Sequence, residues 1–176
     1  TDTELHNQSR ILSFRTVSHC FGLLLTSLPA LAFSAQLAGR VVGIADGDTL
    51  TLLDAGNQQH KVRIGGIDAP EKRQPFGQRS KENLSRLAFS KTAQADCPKQ
   101  DRYRRHVCTV TVDGRDVGLE QIRAGLAWWY RKYADEQPAA QRVDYENAEA
   151  TARRQRAGLW MESAPVPPWE FRHPPK

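Results

Sequence analysis

Zinc-ligand spacing, internal repeats and sequence-reading DNA elements are all missing from this chain of 176 residues. Its cysteines, Cys20, Cys97 and Cys108, are not spaced as metal ligands, and no neighbouring cluster completes a zinc site. The absence of a repeat excludes an array of stacked units, and the absence of a recognition helix, zinc finger or dimer zipper excludes direct reading of base sequence. The length leaves room for one compact domain with appendages, since two full domains would be a squeeze. No long run of one charge sign marks a disordered tail, yet Lys+Arg 25 against Asp+Glu 20 gives a formal charge of +5, which favours polyanionic partners.

Charge is also absent from the whole stretch between Arg15 and Arg40. Arg10 and Arg15 precede an apolar run from Cys20 to Phe33, and Ala30-Leu31-Ala32 supplies the small residues that a signal peptidase needs. That is the layout of a secretory signal, residues 1–35, ending between Phe33 and Gln36. The competing reading is an uncleaved N-terminal membrane anchor, for which Pro29 and several polar residues make a poor spanning helix. The expected location is therefore exported, periplasmic or secreted. Loss of Cys20 with the signal would leave Cys97 and Cys108 as a pair able to join in an oxidising compartment.

From Leu37 to Leu53 apolar and polar residues alternate around the turn Asp46-Gly47-Asp48, and Lys61–Ile64 follows after a second turn, which predicts three antiparallel strands. Leu84, Leu87 and Ala88 recur at helical spacing after Pro75. Thr92–Cys97 and Arg105–Val112 predict two more strands in a hairpin that brings Cys97 near Cys108. Asp116 is placed to cap a second helix, and a third runs from Pro138 to Gly158. Beyond Trp160 the chain, residues 162–176, is too rich in proline for regular structure. This order predicts an α+β, mainly β fold over residues 36–161: a five-stranded, OB-fold-like Greek-key barrel capped by about three helices.

Three segments concentrate charge at predicted strand ends: Asp46-Gly47-Asp48-Thr49, the run from Arg63 through Asp68-Ala69-Pro70-Glu71, and Asp101-Arg102-Tyr103-Arg104-Arg105. Each alone is ordinary turn chemistry. Together, in this order, they resemble the staphylococcal nuclease family, in which one strand ends in Asp-Gly-Asp-Thr, another runs Arg-x-x-x-x-Asp-x-Pro-Glu, and a hairpin carries Asp-x-Tyr-x-Arg. Gly125-Leu126-Ala127 and Gly158-Leu159-Trp160 also look like the family, so the resemblance spans Arg40 to Trp160.

The resemblance implies a calcium-dependent, sugar-nonspecific endonuclease that hydrolyses DNA and RNA to 3′-phosphate ends and acts as a monomer. It implies Asp48, Asp68 and the Ala69 carbonyl as calcium ligands, a hard-oxygen set with water in the remaining positions. It implies Glu71 as general base or orienter of the attacking water, and Arg63 and Arg105 as forks on the phosphate. Asp46 is a candidate outer partner of the metal ligands. Arg104 departs from the pattern, because the family often has glycine there, which bears on where Arg105 points.

Tyr103 and Tyr130 are weaker candidates for stacking on bases, and at least one of Trp128 and Trp129 is expected in the core. Arg153, Arg154 and Arg156 are expected on a solvated helix face. Two other readings compete with hydrolysis. A non-catalytic nucleic-acid-binding barrel would be expected to lose the acidic residues that this chain keeps, and a protein-binding module using the Trp169-Glu170-Phe171-Arg172 tail as its arm leaves the charged segments unexplained.

Overall fold

A computed structural model describes residues 35–173, so all of the expected signal or anchor except Ala35, Cys20 included, lies outside the described residues. The chain forms strands β1 (Ala35–Ile44), β2 (Thr49–Leu53), β3 (Gln59–Ile64) and β4 (Ile67–Asp68), helix α1 (Gly77–Ala88), then β5 (Thr92–Gln100), β6 (His106–Val112) and β7 (Arg115–Asp116). Helix α2 (Val117–Arg123), strand β8 (Trp128–Trp129), helix α3 (Ala139–Arg154) and the one-turn helix α4 (Pro168–Phe171) follow, with 3-10 turns at Arg131–Glu136 and Gly158–Met161.

Strands β1, β2 and β3 pair antiparallel in sequence order, β1 also pairs with β5, and β5 with β6. A parallel pairing of β3 with β6, Val62 opposite His106 and Ile64 opposite Cys108, closes the barrel. The five predicted strands thus form one closed, mixed barrel, and closure removes the open edges that a flat sheet would present to other chains. Alternation puts Val41, Leu50, Leu52, Val62, Ile64 and Val110 inside, all fully buried. Helices α1 and α2 cover the barrel with Leu84 and Ile122. Asp116 caps α2 by accepting the Gly118 and Leu119 N–H groups, and its other oxygen accepts the buried Tyr145 hydroxyl of α3 at 2.9 Å.

Cys97 and Cys108 are disulfide-bonded across the β5–β6 hairpin, where the register shifts between Asp96 and Lys99 and Pro98 falls. A strand proline has no N–H for the ladder and is tolerated at such an irregularity. The crosslink contributes about 2–4 kcal/mol by restricting the unfolded chain.

Three features differ from expectation. The ribbon of β4 with β8, Ile67 opposite Trp129 and Asp68 opposite Trp128, is too short to leave a periodicity in the sequence. Helix α3 ends at Arg154, earlier than Gly158, because Arg156 turns the chain at a φ of 52°. The proline-rich tail, predicted to be irregular, makes the turn α4: Pro168 stands in the first turn, where a helix needs no N–H from it. Arg153 is exposed, as expected of its helix face, and from there also lies 3.8 Å above the centroid of the Trp160 ring and pairs with the buried Glu149. No helix among the described residues is long and apolar enough to cross a membrane.

Candidate active site

The β1–β2 loop hangs from the helices. Gln121 of α2, fully buried, donates to the Gly47 carbonyl at 2.6 Å and to the Ser80 carbonyl at 3.0 Å, fixing the loop that carries Asp46 and Asp48. The Asp48 carbonyl accepts the Ile64 N–H at 2.8 Å, so this loop is bound to the end of β3, from which Arg63 projects. The β4–β8 ribbon then holds Asp68 beside the main chain of Trp128, and Glu149 anchors the ribbon from below by accepting the Trp129 N–H at 3.1 Å.

Asp48, Asp68 and Arg63 meet at the centre. Arg63 Nη2 lies 3.3 Å from Asp68 Oδ1 and 3.5 Å from Asp48 Oδ2, and the same guanidinium donates to the Ile64 and Ile67 carbonyls at 3.1 Å each. Asp48 also accepts the Ala69 N–H at 3.1 Å and the Thr49 hydroxyl at 2.8 Å. Burial works to raise the Asp48 pKa, but the Arg63 charge and these two donors outweigh it and hold the carboxyl below its usual range. Asp68 goes the other way: burial raises it, hydrogen bonds from Arg172 oppose this, and the charge of Asp48 adds to the rise. Arg63 is raised in turn, since the pull of both aspartates exceeds the effect of burial. Asp46 accepts the Asp48 N–H at 3.1 Å and is pushed up to about 6, chiefly by burial and then by the charge of Asp48.

Glu71 follows β4 on a turn closed by Gln74, whose side-chain oxygen accepts the Glu71 N–H at 3.1 Å. Arg105 leaves the β5–β6 hairpin with Nε 2.7 Å from Asp101 Oδ2 and Nη1 3.5 Å from Thr49 Oγ1. Asp101 Oδ1 also accepts the Arg105 N–H at 3.0 Å, and these bonds together overcome burial and lower the Asp101 pKa. Arg104 occupies a left-handed turn position, φ 64°, which accounts for a glycine preference there while Asp101 still aims Arg105. Arg104→Gly is therefore expected to stabilise the protein by about 1 kcal/mol in urea denaturation, with turnover unchanged within about twofold, by relief of this left-handed conformation.

All the sequence-predicted residues, Asp46, Asp48, Arg63, Asp68, Ala69, Glu71, Tyr103, Arg105 and Tyr130, line one cleft of about 1380 Å³. Tyr103 is 63% exposed at the hairpin tip, under Arg102 and Arg105. Trp128 and Trp129 are both buried, whereas Tyr130 stacks on Trp169 of the tail. Sequence reasoning missed three contributors. Thr49 was visible as the neighbour of Asp48; Gln121 and Arg172 gave no local signal, and Arg172 nonetheless reaches both Asp68 and Glu71.

Among the described residues no three acidic, histidine or cysteine side chains form a ready-made metal cluster. The oxygen set fits a loosely held hard cation: two carboxylates that a guanidinium already bridges electrostatically, with Ala69 lining the same cleft and space for water. It does not fit a soft or nitrogen-preferring metal.

The model of the family described as staphylococcal nuclease homologue matches residues 61–162. An uncharacterized endonuclease of Haemophilus influenzae is 39% identical over 137 residues, 78% of this chain and 74% of its own. A micrococcal nuclease of Shigella flexneri is 36% identical over 178 aligned positions, 96% of this chain and 97% of its own. Similarity extends to plants, with a probable staphylococcal-like nuclease of Oryza sativa subsp. japonica 33% identical over 73% of this chain and 41% of its own.

Proposed function

The chain belongs to the staphylococcal nuclease family and is a phosphodiester hydrolase, and on that footing we propose that it is an exported, calcium-dependent endonuclease. It cleaves DNA and RNA without sugar preference and leaves 3′-phosphate ends. The observation that carries this reading is the convergence of Asp48, Asp68, Glu71, Arg63 and Arg105 on one cleft. The disulfide fits an oxidising compartment.

The division of labour follows from charge. A phosphodiester already bears negative charge, and attack by water adds more to its oxygens, so positive groups must be in place before the reaction starts. Arg63, fixed by two carbonyls and two carboxylates, presents a planar fork from the β3 end, and Arg105, aimed by Asp101, presents another from the hairpin. Glu71, at the cleft mouth on its Gln74-closed turn, takes the proton of the attacking water as the new oxygen–phosphorus bond forms. The bond to the 5′-oxygen breaks, and that oxygen leaves with a proton from solvent. A calcium ion bound by Asp48, Asp68 and the Ala69 carbonyl would supply positive charge against the phosphoryl oxygens.

The test is cleavage of plasmid and of single-stranded DNA and RNA by the purified protein, with calcium or with chelator, beside Glu71→Gln. Cleavage of all three with calcium alone, slowed by about 10²–10⁴-fold in Glu71→Gln, is expected. Binding without cleavage under every condition would assign the chain instead to non-catalytic nucleic-acid binding.

A further inference from the structure

The tail enters the cleft that the proposed reaction needs. Arg172 lays its guanidinium on Asp68 with Nη2 2.7 Å from Oδ2 and Nη1 3.3 Å from Oδ1, and the same Nη1 lies 2.7 Å from Glu71 Oε1. This is the paired fork-on-carboxylate geometry of strong, charge-assisted hydrogen bonds. It engages both oxygens of the carboxylate assigned to the cation and one oxygen of the carboxylate assigned to the water.

Three further contacts seat the segment. Trp169 stacks nearly parallel on Tyr130, centroids 5.2 Å apart at 12°, and meets Trp128 edge-on at 5.6 Å. Pro168 is buried, and Gln74, the residue that closes the Glu71 turn, donates to the Val166 carbonyl. By contrast, the four residues Met161–Ala164 that join the segment to the body are all exposed. Lifting the tail would uncover the cleft and the face of Tyr130 while leaving the barrel core, which it does not enter, intact.

We propose that residues 165–173 are an autoinhibitory strap, with Arg172 as a resident cation on Asp68 and Glu71 that calcium must displace. The inference rests on the calcium assignment of Asp68 made above. A guanidinium and a divalent ion drawn to one carboxylate repel one another at short range, so each weakens the binding of the other. The protein thus keeps its acidic cluster neutralised, and Glu71 occupied, until a cation arrives.

Calcium titration calorimetry without nucleic acid tests this on the full chain, Arg172→Ala, Trp169→Ala and Asp68→Asn. If the strap is seated in about nine molecules of ten, both tail variants bind calcium about tenfold more tightly than the full chain. Trp169→Ala changes no charge, so tighter binding there separates release of the strap from simple removal of a positive group. Unchanged or weaker binding in Trp169→Ala, whatever Arg172→Ala does, with binding lost in Asp68→Asn, overturns the strap and leaves the calcium assignment standing. Calcium binding by Asp68→Asn equal to that of the full chain overturns both.

Discussion

Arg63→Lys lowers kcat/KM by about a hundredfold or more while the barrel stays folded, because the substitution keeps the charge and removes the fork. Arg63 does several things at once: Nη1 reaches the Ile64 carbonyl, Nη2 the Ile67 carbonyl, and Nη2 also lies between the two aspartates. A lysine ammonium is one compact centre and cannot span those positions while facing paired phosphate oxygens. Its charge still offsets the buried Asp48 and Asp68, so the thermal transition should fall only slightly. A neutral Arg63→Met would instead leave Asp48 without its counter-charge and Asp68 with Arg172 alone, and loss of a partner from a buried ion pair is destabilising by about 3–5 kcal/mol. Cleavage rates with saturating calcium, read beside thermal melts of both variants, separate the two effects. Arg63→Lys with most of its activity intact would remove Arg63 from the phosphate.

What the sequence made legible is what lies close together along the chain. Asp48 and Thr49 are neighbours, and Arg63, Asp68 and Glu71 follow one another closely through the end of β3, β4 and the turn after it, so their types and spacing survive as a pattern. The five barrel strands were readable because alternation marks a strand with one buried face. Asp116 was readable as a cap because the side chains that accept helix N–H groups are few. The disulfide followed from the hairpin, since two strands joined by a short connection must lie side by side.

What was hidden depends on contacts between distant segments. Arg172 is 101 residues from Glu71 and 104 from Asp68, in a tail whose composition says only that it is poor in regular structure. The β4–β8 ribbon has two residues on each side, too few to display a period. Arg153 is exposed as its helix face predicts, but nothing local announces that Trp160 and Glu149 will also meet it. A long basic side chain can cover aromatic surface and pair with a buried acid while it stays exposed. The hairpin tip is intermediate: Asp101 and Arg105 were recognisable as types, while the aim of Arg105 is set by three hydrogen bonds, two to Asp101 and one to Thr49.

Gly125→Ala destabilises the protein by about 3 kcal/mol or more, with Gly114→Ala as the control that shows why. Both glycines adopt left-handed backbone, φ 65° and 73°, so both variants carry the conformational penalty of a side chain there, about 1 kcal/mol. Only Gly125 adds a collision: a methyl group on it would lie 2.1 Å from the Ala157 carbonyl oxygen, whereas nothing lies within 4 Å of one on Gly114. The two backbones cross here because the Leu159 N–H donates to the Gly125 carbonyl at 2.8 Å, and Gly158 is equally confined, since a methyl group on it would lie 2.2 Å from the oxygen of that same carbonyl. Leu159 and Trp160 then pack with Trp128, whose main chain pairs with that of Asp68. Forcing the crossing apart therefore reaches the site through the aromatic cluster without touching a charged residue. Urea denaturation of both variants measures the difference, and equal losses would mean that conformation alone, not the close approach of two chain segments, requires glycine at position 125.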